Sequence, residues 1–172
     1  EVSLPKLITG GNYLLYNCTS LTLVSLPLLV STGSYLLFGC TSLTTVSLPL
    51  LTTAGNGLLS CCTKLKRAGL PSLETVESNS WGLLENCYDL EEVSLPKLIT
   101  GGNWLLAFCT SLERIYFGKP EITWGNNAFS GVTLSNVDLY LPVGHGITGN
   151  TWNNKTWKSI NEYPGDAAWD LL

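Results

Sequence analysis

The sequence predicts an α/β-type repeat solenoid, a right-handed stack of about six to seven 22-residue units with a parallel β-sheet along one side. Leu-Pro pairs recur from Leu4-Pro5 onward at steps of 22, 22, 22 and 25 residues. Cysteines recur from Cys18 onward at steps of 22, 22, 25 and 22 residues. Residues 1–12 return unchanged as residues 92–103. Because these markers share one period and one three-residue insertion, they indicate a repeat architecture.

Each unit contains a short predicted strand. In the unit that starts at Leu21, the apolar residues Val24 and Leu26 alternate with Ser25, which predicts one buried and one exposed face. Pro27 then ends the strand, because proline has no N–H group to donate to a neighbouring strand.

The remainder of each unit is predicted to return the chain to the start of the next strand. In the first unit Gly10, Gly11 and Asn12 are typical turn residues. Leu14 and Leu15 follow, on a few short helical or irregular turns. A unit of this size cannot bury its own apolar side. Neighbouring units are therefore expected to stack, with their strands about 4.8 Å apart.

One domain with two parts is predicted: a solenoid at residues 1–141 and an aromatic-rich C-terminal cap at residues 142–172. The period stops after Pro142, and the tail carries aromatic residues such as Trp152 and Trp157. A repeat stack needs an atypical end unit to cover its last core. The N-terminal end has no such unit, which predicts either upstream repeats or end-to-end self-association through the exposed strand edge.

Composition and charge exclude two classes of partner. The net charge is −4, the pI is about 4.9, and the nine lysine and arginine residues are scattered. A nucleic-acid partner requires clustered cations to neutralise its phosphates, so none is expected. The sequence has no run of 18 apolar residues, so no membrane span is predicted.

The cysteines are the first candidates for chemistry. Five of the six occupy one repeat position, and a straight row cannot form the tetrahedron that zinc requires. Stacked neighbours are close enough for disulfides, although parallel side chains suit such a bond poorly. We expect buried free thiols that pack as small apolar side chains, with Cys61 facing away from the row that contains Cys62.

No catalytic site, metal or cofactor is predicted. His145 is the only histidine, and it lies in a glycine-rich segment that predicts an exposed loop. No nucleophile, base and oxyanion site come together in the pattern, so the chain is not expected to be an enzyme.

The outward positions of the predicted sheet change character along the chain. They are uncharged in the first units, as at Ser25 and Thr45, and charged in the later ones. Opposite charges on neighbouring strands form an ion-pair ladder that contributes about 0.2–1 kcal/mol per pair. The alternative is a partner-binding patch, because solenoids commonly bind on the extended sheet face. The candidate residues are Lys66, Arg67, Glu91, Glu92, Glu113, Arg114 and Tyr116.

Aromatic residues recur at one loop position and form a candidate aromatic stripe. A row of rings either covers the side of the stack or contacts a sugar or a protein. Trp81 lies in the three-residue insertion. Insertions in solenoids often mark a binding face. The candidate residues are Tyr13, Tyr35, Trp81, Trp104 and Trp124.

Three segments carry a family resemblance. "CTSLTTVSLPLL" (residues 40–51), "NNAFSGVTL" (126–134) and "LYLPVG" (139–144) resemble the BspA-like, or treponemal-type, leucine-rich repeats. The resemblance covers about residues 1–160, although most units carry Leu-Leu where the family commonly has Ala-Phe, as at Ala128-Phe129. It implies a secreted or surface-exposed bacterial protein, with roles in adhesion and in binding host matrix proteins.

Two functions are compatible with the pattern. The first is a non-catalytic, surface-exposed adhesion module that recognises a host protein or glycan outside the bacterial cell. The alternative is a structural spacer that presents another domain of a longer surface protein. The repeat stack supports both functions, since a solenoid provides extended surface and length.

Overall fold

The computed structural model describes residues 1–77, 80–118 and 121–163. Most of the regular structure in these residues is short β-strand, and the one helix among them is a 3-10 turn at Leu134–Asn136. In chain order the strands are β1 (Val2–Ser3), β2 (Thr9–Gly10), β3 (Val24–Ser25), β4 (Ser31–Thr32), β5 (Thr45–Ser47), β6 (Thr53–Ala54), β7 (Arg67–Gly69), β8 (Thr75–Val76), β9 (Glu92–Leu95), β10 (Thr100–Gly102), β11 (Arg114–Phe117), β12 (Thr123–Trp124), β13 (Asp138–Pro142), β14 (Thr151–Trp152), β15 (Lys155–Thr156) and β16 (Ser159–Tyr163).

The first sheet contains the strands that the Leu-Pro pattern predicts. β5, β7, β9, β11, β13 and β16 pair in this order, and β1 pairs separately with β3; all of these pairs are parallel. The register aligns equivalent residues, with Ala68 beside Val46 and Val93. The predicted repeat solenoid with a parallel sheet along one side is therefore confirmed.

A second parallel sheet was not predicted. It consists of the even-numbered strands from β2 to β12, in the order β12-β10-β8-β6-β4-β2. These strands are two or three residues long, which is too short for an alternating pattern to be visible in the sequence. Their aligned hydroxyl residues lie side by side along the stack: Thr9, Ser31, Thr53, Thr75, Thr100 and Thr123.

The core consists of columns of leucine and cysteine that run along the stack. Each column takes one residue from successive units, and most members are completely buried. Full burial of a leucine side chain contributes about 1.5–3 kcal/mol, which a single unit could not obtain alone. One such column comprises Leu43, Leu65, Leu90 and Leu112, and another comprises Leu48, Leu70 and Leu95, each of which precedes a proline.

The turn after the second sheet, predicted as helical or irregular, is non-helical and has a repeating backbone conformation. In the first unit Tyr13, Leu15 and Asn17 have φ angles of 59°, 57° and 53°. Tyr13 N–H donates to Ser34 O at 2.8 Å, and Asn17 N–H donates to Phe38 O at 2.7 Å. Hydrogen bonds to the next unit therefore hold residues other than glycine in the left-handed region, which they rarely adopt.

At the C-terminal end the first sheet continues beyond Pro142. The antiparallel hairpin of β14 and β15 comes first, and β16 then pairs in parallel with β13. Trp152, Trp157 and Tyr163 are buried there. The predicted division into a solenoid and a cap stays a prediction, and residues 164–172 of that cap lie outside the described residues.

At the N-terminal end, Val2, Leu4 and Leu7 are only half-buried, although they pack against the core. End-to-end association through this end stays a prediction. The part of the chain that the structure describes has no helix with the length and apolar composition of a membrane span.

Candidate functional site: a charged edge of the first sheet

The predicted charged residues lie together at the start of the strands of the first sheet. The register places Arg67 beside Glu92, Glu92 beside Arg114, and Arg114 beside Asp138. Positive and negative side chains thus alternate from strand to strand. The parallel register produces this alternation, because steps of 25, 22 and 24 residues each return the chain to the same position one strand further along.

Ion pairs connect these side chains across the strands. Arg114 Nη2 lies 3.1 Å from Glu92 Oε2, and Arg114 Nη1 lies 3.1 Å from Glu113 Oε2. Lys66 Nζ lies 3.1 Å from Glu91 Oε1. The Glu92 side chain is only 17% exposed, whereas those of Lys66 and Glu91 are 57% and 40% exposed. The pair between Arg114 and Glu92 is therefore the one that water screens least.

One further ion pair was missed by the candidate set. Lys158 Nζ donates to Asp138 Oδ2 at 2.7 Å, and Ser159 Oγ donates to Asp138 Oδ1 at 2.7 Å. Asp138 lies on a strand that the sequence predicted. Lys158 follows the point where the period stops, so only the pairing of β16 with β13 reveals its position.

The pKa values reflect this arrangement. Partial burial opposes ionisation of Asp138, but the bonds from Lys158 and Ser159 outweigh it and lower the pKa of the carboxyl. Partial burial likewise opposes the charge of Arg114, yet Glu92 and Glu113 raise the pKa of its guanidinium above the ordinary value. These pKa shifts favour the charged form of each group, which is what a stable ion-pair ladder requires.

A groove of about 640 Å³ runs along this edge of the sheet. It lies beside the 3-10 turn and crosses the starts of several strands. We call it the charged groove. It is lined by Glu91, Thr110, Ser111, Leu112, Glu113, Arg114, Asn136, Asp138 and Lys158.

Tyr116 lies further along the same sheet face. Its ring stacks on Tyr140 with centroids 4.6 Å apart, and it meets Tyr163 edge-on at 5.6 Å. Burial raises the pKa of the Tyr116 hydroxyl, and Glu92 adds to the effect. Tyr116 therefore belongs to an aromatic row on the sheet, beside the charged groove and outside its lining.

The candidate aromatic stripe divides into separate groups. Tyr13 stacks on Tyr35 with centroids 5.1 Å apart. Tyr16 and Phe38 stack in the same way at 5.3 Å, and Phe38 meets Trp81 edge-on at 5.1 Å. We call these five rings the aromatic patch. Tyr16 and Phe38 were not predicted, although they recur at one repeat position.

The other two members of the stripe lie elsewhere. Trp104 stacks on Phe108 at 6.4 Å. Trp124 packs in the C-terminal core, where its ring centroid lies 5.1 Å from that of Phe129 and 5.6 Å from that of Trp152. Trp124 lies on β12 beside Gly102 of β10, so it is not at the repeat position of Trp104.

The cysteine row is an internal hydrogen-bonded ladder. Each buried thiol donates to the backbone carbonyl of a leucine in the preceding unit, as Cys62 Sγ does to Leu37 O at 3.1 Å. Equivalent bonds join Cys40 to Leu15, Cys87 to Leu59 and Cys109 to Leu84. All six cysteines are free, as predicted. Cys61 stands outside the row, where it is half-buried near Asn86.

This ladder predicts selective thiol chemistry. Burial raises the pKa of Cys40 to about 11, and burial also raises the pKa of Cys62, Cys87 and Cys109. At pH 8 a thiol like Cys40 should react on the order of 100-fold more slowly than an ordinary cysteine, because the thiolate is the nucleophile. Iodoacetamide should therefore label Cys18 of the native protein fastest, and Cys61, whose pKa burial also raises, more slowly. Mass spectrometry would identify the labelled residues.

Unfolding in denaturant without a reductant provides the control. All six cysteines should then become labelled. A pair that resists labelling in the unfolded chain would reveal a disulfide and contradict the free-thiol ladder.

His145 is half-buried, whereas an exposed loop histidine was predicted. Its Nδ1 accepts the N–H of Ile147 at 2.9 Å. Within residues 1–77, 80–118 and 121–163, no three His, Cys, Asp or Glu side chains are grouped as metal ligands.

Comparison with known families connects this geometry to a named repeat. A family model described as the BspA type leucine rich repeat region, in six copies, matches residues 51–144. This chain belongs to that family. The predicted resemblance is thereby confirmed. BspA-type leucine-rich repeats are protein-interaction or structural repeat modules, and the family is generally non-catalytic and typically found on the cell surface or secreted.

A solved structure gives a further comparison. The crystal structure of a leucine-rich repeat protein from Bacteroides ovatus is similar to this chain at 14% sequence identity and a TM-score of 0.35. The match covers 94% of this chain and 68% of that one. No curated protein matches the BspA-type chain.

Proposed function

We propose that this chain is an adhesion module outside a bacterial cell, and that its charged groove binds a host protein. The groove is the observation that carries the proposal. Five of its nine lining residues are charged, in a lightly charged chain, and it lies at one edge of an extended sheet. Solenoids commonly bind partners on such surfaces.

The balance of charges favours a protein partner. Four cations and four anions lie along this edge: Lys66, Arg67, Arg114 and Lys158 with Glu91, Glu92, Glu113 and Asp138. Such an alternating pattern complements a polypeptide that carries both signs, whereas a polyanion would need an excess of cations. Arg114 and Tyr116 are of the residue types that contribute most energy at protein interfaces.

The same contacts argue against acid–base catalysis in the groove. Glycoside hydrolysis needs two carboxyl groups that face each other, one of them with a raised pKa. Here Glu91 pairs with Lys66, Glu92 and Glu113 pair with Arg114, and Asp138 pairs with Lys158. Paired carboxylates of this kind suit recognition better than proton transfer.

A spacer is the second candidate function. The strand face of the first units carries small hydroxyl side chains, Ser3, Ser25 and Ser47. This face offers few contacts to a partner, so the first units could serve mainly to extend the stack. A spacer would require no particular charge pattern in the groove.

A charge swap distinguishes the two functions. In the double variant Glu92→Arg with Arg114→Glu, the central pair keeps opposite signs. The new arginine lies beside Arg67, however, and the new glutamate lies beside Glu113 and Asp138. We therefore expect the free energy of unfolding to fall by about 1–2 kcal/mol. Binding to immobilised mammalian extracellular-matrix proteins should become at least about tenfold weaker, because like charges would then oppose each other at the interface. Biolayer interferometry measures this change.

The matched control is Lys97→Glu with Glu121→Lys, which also conserves net charge but exchanges exposed residues outside the groove. It should bind as the wild type does. A swapped variant that binds matrix proteins normally would refute the groove as the binding site. Absence of binding by the wild-type chain to every matrix protein would refute the adhesion proposal itself.

A further inference from the structure

The first three units form an uncharged part of the molecule. Residues 7–63 contain no Asp, Glu, Lys, Arg or His. Two rings of the aromatic patch are exposed on this part, Tyr13 at 59% and Tyr16 at 41%. A surface without charge offers nothing to an ionic partner, so any ligand here has to be recognised by hydrogen bonds and ring contacts.

A second cleft lies on the second sheet, mostly within this uncharged part, and Glu77 is the one charged residue in its lining. Its volume is about 410 Å³, which falls within the usual range of about 300–1,000 Å³ for small-molecule sites. We call it the hydroxyl cleft. It is lined by Asn12, Thr32, Gly33, Ser34, Thr53, Ala54, Gly55, Thr75 and Glu77.

The strand register arranges the hydroxyl groups of this cleft. Thr53 and Thr75, which line the cleft, are direct neighbours on β6 and β8, and both are exposed. Parallel strands place such residues about 4.8 Å apart. The cleft therefore presents hydroxyl groups in a line along a rigid sheet.

Two polar side chains at the end of the second sheet are held in place. Asn12 Oδ1 accepts the N–H of Ser34 at 2.7 Å, and Ser34 Oγ accepts the N–H of Asn56 at 3.2 Å. These bonds use acceptor atoms. The NH₂ group of Asn12 and the hydroxyl proton of Ser34 are the parts of these side chains that remain chemically able to donate.

Two rings of the aromatic patch directly follow cleft residues in the chain. Asn12 and Ser34 precede Tyr13 and Tyr35, whose rings stack on each other. Gly57 occupies the equivalent position in the third unit, and a Cβ there would lie 3.0 Å from the Tyr35 ring. Gly57 has no ring, so the row of stacked rings stops after Tyr35. The two rings form a short shelf beside the hydroxyl cleft.

We propose that the hydroxyl cleft binds a neutral oligosaccharide, with the aromatic patch as a stacking shelf. Sugar hydroxyls both donate and accept, as the threonine, serine and asparagine side chains of the cleft do. The apolar faces of pyranose rings pack on aromatic rings. Glu77 adds a carboxylate that can accept two adjacent sugar hydroxyls. The site extends the proposed binding function to a second surface, and it does not depend on the charged groove.

Calorimetric titration with neutral hexasaccharides of glucose, mannose and galactose tests the proposal, with sulfated and sialylated oligosaccharides as acidic probes. At least one neutral hexasaccharide should bind, and the acidic probes should bind more weakly. In the variant Thr53→Val with Thr75→Val, binding should weaken at least about tenfold, because two hydroxyl groups are lost while the strands keep β-branched residues. Tyr13→Ala should weaken it by a similar factor.

Thr123→Val is the matched control, since Thr123 belongs to the same hydroxyl row but lies outside the cleft. It should leave sugar binding unchanged, and so should the charge swap of Glu92 and Arg114. The proposal is overturned if no neutral hexasaccharide binds, if acidic probes bind more tightly, or if the threonine variant binds normally. None of these results bears on the charged groove, whose test uses matrix proteins.

Discussion

The variant Trp157→Ala should lower the free energy of unfolding by about 3–5 kcal/mol, the usual cost of removing a large buried aromatic side chain. Trp157 is completely buried. Its ring meets Phe129 edge-on at 5.6 Å, and its Nε1–H donates to Trp152 O at 3.4 Å. Ser159 and Arg67 occupy equivalent positions at the start of their strands in the first sheet. Trp157 lies two residues before Ser159, and Leu65 lies two residues before Arg67, so the two side chains occupy equivalent positions.

Trp157 thus continues the leucine column of the core in the last unit. Stability in a stack depends on contacts between neighbouring units, so a cavity here weakens the attachment of β16 to the rest of the sheet. Guanidinium unfolding followed by circular dichroism measures the change. Trp157→Phe should lower the free energy of unfolding less than Trp157→Ala does. It loses the hydrogen bond but keeps most of the ring contacts.

Trp104→Ala is the control, because Trp104 is half-buried and its ring stacks on Phe108 near the surface. Trp104→Ala should lower the free energy of unfolding by about 1 kcal/mol. If Trp104→Ala destabilised the protein more than Trp157→Ala did, the C-terminal aromatic core would not be the support that the structure indicates.

The second large effect is expected at Gly55. A Cβ on Gly55 would lie 2.6 Å from Ser34 N and 2.8 Å from Gly33 C, both backbone atoms of the preceding unit. Backbone atoms cannot move aside without separating the two units and stretching the bond from Gly55 N to Thr32 O, which is 3.2 Å long. Gly55→Ala should therefore destabilise the protein by about 1–3 kcal/mol, as overpacking commonly does.

Gly11 provides the control. Gly11, Gly33 and Gly55 occupy the same position in three successive units. No atom lies within 4 Å of a Cβ built on Gly11. Gly11→Ala should leave the free energy of unfolding unchanged or raise it by up to about 1 kcal/mol, since it restricts the unfolded chain. Equal destabilisation by Gly11→Ala and Gly55→Ala would show that close approach between units is not what requires glycine.

The candidate sites differ in how far the sequence could locate them. The charged ladder was found because Arg67, Glu92 and Arg114 fall at equal positions of a visible period. The hydroxyl cleft was missed because β4, β6 and β8 are two-residue strands without alternation. A threonine in such a strand looks the same in the sequence as a threonine in a loop, so only the register of the second sheet shows that Thr53 and Thr75 are neighbours.

The aromatic residues show the same limit in another form. Tyr13 and Tyr35 share a repeat position and stack, as a strict period implies. Trp124 seemed to continue the stripe, but it packs on Phe129 and Trp152 in the C-terminal core. A period predicts contacts only while the units remain equivalent, and the last units lose that equivalence at the register shift between β10 and β12.

The sequence by itself determined the repeat, its period, the strand before each Leu-Pro pair, and the leucine and cysteine columns of the core. These follow from local pattern, because a short apolar unit can bury its residues only against copies of itself. The tertiary structure alone decided the second sheet, the pairing of β16 with β13, and hence the positions of Lys158 and Trp157. These depend on hydrogen bonds and packing between distant segments, whose energies do not appear in the pattern of any one unit.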